Sequence, residues 1–225
     1  MEQKTKRNIL IGIGIAVTIT SVYLLYKYRF LRLPARNIPN NPNLFVSPAN
    51  GKIVAIRKFS DEVIIESKYD KEDNIDGAIS LFGNDISPTG TIISIHMNLN
   101  NVHYQRVPVY SKVLAIKYTK GDFNNALTVK GENFIRHENE HNEVLFQTNS
   151  GIKYKVVQIA GFLARRIECF VQTGQNLKQG DVFGVIKMGS QVTVLVPDNV
   201  QITANVGDIV LDGETVLGTI KTYQQ

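Results

Sequence analysis

The chain has no tryptophan and a single cysteine, Cys169, in 225 residues. A lone thiol excludes an intramolecular disulfide framework and suits a reducing compartment. Several catalytic and nucleotide-binding patterns are missing as well: no GxxxxGK[ST], no GxGxxG after a strand, no HExxH and no CxxC. Nucleotide-dependent and zinc-dependent enzymes are therefore poorly supported. Of the four histidines, only His137 and His141 are close in sequence, in the polar run IRHENEHNE, where surface or loop positions are expected and no metal set. No heptad pattern follows Phe45, which argues against an adaptor built on a long helical hairpin.

What is present begins with an almost unbroken apolar stretch from Ile9 to Tyr26, close to the length needed to cross a hydrocarbon core. Lys4, Lys6 and Arg7 precede it, and Lys27, Arg29, Arg32 and Arg36 follow. The balance of these charges assigns the carboxy-terminal part to the cytoplasmic side of a single-pass cell-membrane anchor. A cleaved signal peptide is the competing reading, but basic residues stand where small cleavage-site residues belong. Tyr23, Tyr26 and Tyr28 suit an interfacial aromatic belt. The net charge of +5 is compatible with an anionic membrane or substrate, and no nucleic acid is expected as partner.

The organisation predicted is an anchor over residues 1–30, a proline- and asparagine-rich linker over 31–44, and one domain over 45–225. Short runs rich in Val, Ile and Thr predict strands at Lys52–Arg57, Glu62–Ser67, Thr91–Met97, Ser111–Lys117, Glu143–Phe146 and Lys153–Ala160. The fold class is mainly β, a β-rich α+β, with Asp70–Gly90 as a surface excursion. A faint repeat joins TGQNLKQGDVFGVIK from Thr173 to VGDIVLDGETVLGTIK from Val206, aligning Gly174, Gly180 and Gly184 with Gly207, Gly213 and Gly218. Together with SPANGKIVAI, the repeat resembles the barrel-sandwich hybrid of biotinyl and lipoyl carriers, with strands paired across a pseudo-two-fold axis. No lysine sits at a tight hairpin tip in the carrier manner.

A series of unusual strings then runs in fixed order: SPANGKI at Ser47, NNVHYQRVPV at Asn100, KGDFNNA at Lys120, ENEH at Glu138, QIAGFLARRIECF at Gln158 and GDVFGVIKMGSQVTVLVP at Gly180. Each is weak alone. In this order, from about Phe45 to Ile220, they resemble the successive signatures of the phosphatidylserine decarboxylase family, especially its short, pyruvoyl-dependent members. The resemblance implies a zymogen that breaks its own Gly189–Ser190 bond, leaving a β chain of residues 1–189 and an α chain of 190–225 headed by a covalent pyruvoyl group derived from Ser190.

The residue types suit that chemistry. The Ser190 hydroxyl can attack the Gly189 carbonyl through a small ring, turning amide into ester, and needs a base to take its proton. Elimination then frees the Gly189 carboxylate and leaves dehydroalanine, which hydrolyses to pyruvoyl and ammonia. Glycine on the acyl side tolerates the backbone distortion involved. The ketone so formed acts as an electron sink for decarboxylation of a serine phospholipid to phosphatidylethanolamine and carbon dioxide. An acid must then protonate the product carbon, a task suited to histidine. The resemblance assigns His103 to it. Arg165 and Arg166 are candidates for the substrate phosphate or carboxylate or, equally, for internal ion pairs, and Arg106 is similar.

The chain departs from the family at Asn50, where PADG is usual; a neutral amide cannot stabilise an imidazolium as a carboxylate does. Asn98 and Leu99, His141 and Gln191 are lesser departures. An unprocessed pseudoenzyme that binds lipid or a partner is therefore the alternative to an active enzyme. A homodimer on an exposed sheet edge is a further expectation from fold analogy.

Overall fold

In the computed structural model, which describes residues 2–60, 83, 85–121, 138–161, 166–187 and 190–221, the apolar stretch forms one helix, α1 (Glu2–Leu25), continued by a π-helical turn at Tyr26–Phe30. Its Ile, Leu and Val side chains stay exposed, and the segment Gln3–Phe30 is long and apolar enough to cross a membrane.

Everything after it is strand and turn: β1 (Leu44–Val46), β2 (Gly51–Ser60), β3 (Thr89–Met97), β4 (Tyr104–Arg106), β5 (Ser111–Thr119), β6 (His141–Thr148), β7 (Lys153–Ala160), β8 (Arg166–Cys169), β9 (Asn176–Leu177), β10 (Val182–Lys187), β11 (Ser190–Pro197), β12 (Val200–Ile202), β13 (Ile209–Val210) and β14 (Val216–Ile220). Five of the predicted strand runs fall inside β2, β3, β5, β6 and β7. Glu62–Ser67 and most of Asp70–Gly90 lie outside the described residues.

An antiparallel eight-stranded sheet runs β13-β2-β3-β11-β7-β6-β5-β9 and curls into a half-barrel. Two three-stranded sheets, β1-β14-β12 and β4-β10-β8, complete the domain. Strand β11 is buried along its whole length because both faces of the sheet are covered. One face packs a large cluster that includes Phe45, Phe146, Tyr154, Phe183 and Val194. The other packs a small one with Phe59, Ile92, Val157 and Leu195. Each such fully buried side chain contributes roughly 2 kcal/mol. Tyr154 stacks on Phe146 at 5.1 Å, meets the edge of Phe45 at 5.0 Å, and bonds Ser111 Oγ through its hydroxyl at 2.7 Å.

The faint sequence repeat proves to be part of a larger internal symmetry. The order of the large sheet reads the same from both ends if β13 is matched with β9, β2 with β5, β3 with β6 and β11 with β7. The backbone bonds repeat too. Gly180 N–H donates to Val107 O at 2.8 Å as Gly213 N–H does to Ser47 O at 2.7 Å. Gly174 N–H donates to Val113 O as Gly207 N–H does to Ile53 O, both at 2.8 Å. All four glycines have positive φ, which only glycine adopts without strain. At the pseudo-axis, Val46 N–H bonds Pro108 O at 3.0 Å while Arg106 N–H bonds Pro48 O at 2.9 Å. One half is β4–β10. The other is β1–β3 joined with β11–β14, so the first half of the symmetry is inserted between β3 and β11 of the second.

His141 corrects an expectation. Instead of a surface loop it occupies the start of β6, where it is buried between β5 and β7, with Nδ1 2.7 Å from Asn139 O. The polar run places it beside a buried ion pair, Lys155 Nζ to Glu143 Oε2 at 2.8 Å, whose charges need each other once desolvated. His137 lies outside the described residues, and among the described residues no group of three or more His, Cys, Asp or Glu is arranged to hold a metal.

Candidate active site

The inserted half leaves β3 at Met97 and returns at Ser190, so these two residues face each other in register. Ser190 is fully buried between Met97 of β3 and Ala160 of β7, and its Oγ donates to Met97 Sδ at 3.4 Å. A thioether is a weak acceptor, so the hydroxyl is only loosely committed. Gly189 lies outside the described residues, between Lys187 at the end of β10 and Ser190.

The loop that leaves Met97 is built by asparagines. Asn101 Oδ1 accepts the Asn98 N–H at 2.8 Å, Asn98 Oδ1 accepts the Asn100 N–H at 2.9 Å, and Asn101 N–H closes the turn on Asn98 O at 3.0 Å. This loop presents His103, which is fully buried. Its Nδ1 lies 2.9 Å from Asn101 O, a carbonyl that can only accept, which assigns the proton to Nδ1 and the lone pair to Nε2. Burial lowers the imidazole to about 4, the Asn101 carbonyl opposes that shift, and the Arg32 charge adds to it. His103 is thus a neutral imidazole at neutral pH, the form that takes a proton.

Behind the histidine runs a chain of amides. Ile186 N–H and Gln105 Nε2 both donate to His103 O, at 3.1 and 2.7 Å. Gln158 Nε2 donates to Gln105 Oε1 at 2.7 Å, and Asn142 Nδ2 to Gln158 Oε1 at 2.9 Å. The β4–β10 sheet is thereby tied to β7 and β6. Gly184 is required at its point of closest approach, because a Cβ there would stand 2.6 Å from Gln158 Nε2.

Asn50, at the entry to β2, joins from the other side. Its Oδ1 accepts from Asn101 Nδ2 at 2.6 Å, so Asn50 reaches His103 through Asn101. Ser190, His103 and Asn50 therefore come to one end of the large sheet, where β2 and β11 begin and β3 ends.

The arginines separate. Arg166 is exposed at the start of β8, paired in register with Lys187, two residues short of Gly189. Arg165 lies outside the described residues. Arg106 is already occupied: Nε bonds Asp212 Oδ2 at 2.9 Å, Nη1 bonds Gly180 O at 2.8 Å and Nη2 bonds Pro34 O at 3.1 Å. Arg36 also pairs with the fully buried Asp212. The segment after the helix is thus strapped to the domain by a two-arginine clasp on one carboxylate.

Three contributors carried no warning in the sequence beyond ordinary composition. Met97 looked like a strand residue and Asn101 like a turn residue. Phe30, the last residue of the π-helical turn, stacks on His103 with ring centroids 4.0 Å apart. Arg32 was read only as one charge of the basic flank; its Nη2 bonds the Asn100 carbonyl in the histidine loop.

The internal symmetry offers a control. A second cleft, lined by Asn43, Tyr110, Thr148, Asn149 and Ile152 among others, is the counterpart of this end. The sheet registers match Asn43 to His103, Tyr110 to Asn50, Thr148 to Met97 and Ile152 to Ser190. There β6 and β7 are joined by a short turn containing Gly151. The nucleophile and the imidazole belong to one half only.

Comparison with known proteins agrees with this geometry. The family model for phosphatidylserine decarboxylase matches residues 25–218. The chain is 36% identical over 205 residues to a phosphatidylserine decarboxylase proenzyme of Desulfotalea psychrophila, covering 90% of this chain and 84% of the relative. It is 33% identical over 207 residues to the proenzyme of Wolbachia pipientis, covering 92% and 80%, and 36% identical over 199 residues to that of Neisseria gonorrhoeae, covering 88% and 67%. The chain belongs to the phosphatidylserine decarboxylase family.

Proposed function

We propose that the chain is a proenzyme that cuts itself between Gly189 and Ser190 and then decarboxylates phosphatidylserine to phosphatidylethanolamine at the cytoplasmic face of a membrane. The observation that carries this reading is the buried Ser190 hydroxyl at the re-entry of the chain into the sheet, at the same end as a neutral histidine. His103 Nε2 takes the Ser190 proton as Oγ attacks the Gly189 carbonyl, and Asn101 holds the ring through Nδ1. The C–N bond of the amide gives way to an ester. Loss of the Ser190 α-proton then breaks the Ser190 Cβ–Oγ bond and releases the Gly189 carboxylate, and hydrolysis of the dehydroalanine yields the pyruvoyl terminus and ammonia.

The residues around Ser190 fit such a group: a fully buried position, a soft sulfur neighbour and no fixed charge among its direct hydrogen-bond partners. Once formed, it supplies a ketone that accepts the electrons left by carbon dioxide. His103 would return a proton to the product carbon, and Arg165 and Arg166 would hold the anionic headgroup, whereas Arg106 is assigned to bracing. Strand β11 keeps the α chain attached after cleavage through its register with β3 and β7. The pseudo-symmetric pairing of short strands supports kinship with the barrel-sandwich hybrid.

An intact-mass spectrum of the purified full-length protein tests the reading. The expected result is two chains, 1–189 and 190–225, with the second headed by pyruvoyl, and one intact chain for Ser190→Ala. A wild-type chain that stays whole after long incubation would instead favour the second reading, a lipid-binding pseudoenzyme. The specific support for that reading is Asn50, a neutral amide at the position linked to His103.

A further inference from the structure

The membrane helix and the histidine loop form one contact unit, and the cleft between them is lined by Leu25, Tyr28, Arg29 and Arg32. Helix α1 has 24 residues, about 36 Å at 1.5 Å per residue, enough to cross a core about 30 Å thick. The turn that follows, Tyr26–Phe30, therefore lies at headgroup depth. Two arginines stand there, on the side where an anionic lipid of the same leaflet presents its phosphate.

Arg32 is held in place by donating to the Arg29 and Asn100 carbonyls. A guanidinium has five N–H donors, so these two bonds leave donors for an anion, and its planar fork matches phosphate. Asn100 belongs to the loop that carries His103, and Phe30 stacks on the His103 ring at 4.0 Å. A phosphate bound at this junction has its headgroup amine and carboxyl only a few bonds away, next to the imidazole. The acyl chains would follow Leu25 and the exposed apolar face of α1 into the bilayer.

We infer that Arg29 and Arg32 form a phospholipid-phosphate site at the junction of the membrane helix and the domain, which delivers the headgroup to His103 without taking the lipid out of its leaflet. The inference rests on the proposed function for the identity of the headgroup. The site itself recognises the phosphodiester, which all glycerophospholipids share.

The test uses the full-length Ser190→Ala chain in detergent micelles, titrated calorimetrically with dihexanoyl phosphatidylserine and with dihexanoyl phosphatidylcholine. Arg29→Gln with Arg32→Gln is expected to weaken both lipids by about tenfold or more, as befits the loss of charge-assisted hydrogen bonds. Arg29→Lys with Arg32→Lys should retain a larger part of the affinity, and Lys112→Gln, an exposed charge on β5, should bind as the parent does. Binding unchanged in the double glutamine variant, or an equal loss in Lys112→Gln, would overturn the site. If the double variant loses its circular-dichroism melt, Arg29→Gln alone carries the test, since that side chain is exposed. The titration is independent of turnover. A wild-type protein that binds lipid through the arginines yet releases no carbon dioxide would sink the enzymatic reading and leave the site standing; an active protein whose double variant binds normally would do the reverse.

Discussion

Replacing His103 with glutamine should remove a specific share of the protein's acid sensitivity, and its size follows from the burial of the ring. The imidazole titrates at about 4 in the folded chain against 6.5 when exposed. Between these values the unfolded chain binds more protons than the folded one, so the native state loses stability as the pH falls. Sign and window follow: the full contribution is present above pH 6.5, and most of it is gone at pH 4. One pKa unit corresponds to about 1.4 kcal/mol, which gives a loss of about 2 kcal/mol by pH 5 and about 3 kcal/mol by pH 4. The experiment is urea denaturation in detergent on the uncleavable Ser190→Ala background, with and without His103→Gln, at several values from pH 7 to pH 4. Carboxylates titrate in both chains and cancel in the difference. The parent should lose about 3 kcal/mol more than the glutamine variant across that range. Parallel curves, or a parent that becomes relatively more stable in acid, would refute the assignment of a buried neutral imidazole.

Two further outcomes follow from the same geometry. Asn50→Asp keeps the acceptor for Asn101 Nδ2 and adds a negative charge to the loop that orients His103, opposing Arg32; self-cleavage followed by intact mass should accelerate by about tenfold or more, and an unchanged or slower rate would contradict the link through Asn101. Asp212→Asn leaves Arg36 and Arg106 largely buried without their shared carboxylate and should lower stability by about 3 kcal/mol or more in urea, whereas a loss under about 1 kcal/mol would mean that the clasp does not hold the post-helix segment.

The elements written in local pattern were legible in the chain itself. Ile9–Tyr26 needs only its apolar length to make a spanning helix, and β2, β3, β5, β6 and β7 follow from alternation and β-branched residues between turn formers. The paired glycines at 174 and 207, and at 180 and 213, exposed the internal repeat because positive φ restricts those positions to glycine. The six strings gave the family and, through it, Ser190, His103 and Asn50.

Local pattern could not tell which side chains meet across the fold. Ser190 faces Met97 because one structural half is inserted between them, a pairing that no short window contains. His141 resembled a loop residue until β5 and β7 covered it. Arg106 looked like an anion ligand, but only the folded chain brings Asp212, Gly180 and Pro34 within reach of its guanidinium. The contact of Phe30 with His103 joins an anchor to a domain that periodicity treats as separate. Sequence by itself determined the strands, the anchor and the chemical identity of the nucleophile, since these depend on residue type and near neighbours. The partners of each buried polar group were decided by tertiary structure alone, because desolvation and hydrogen bonding act between residues that are close in space and far apart in the chain.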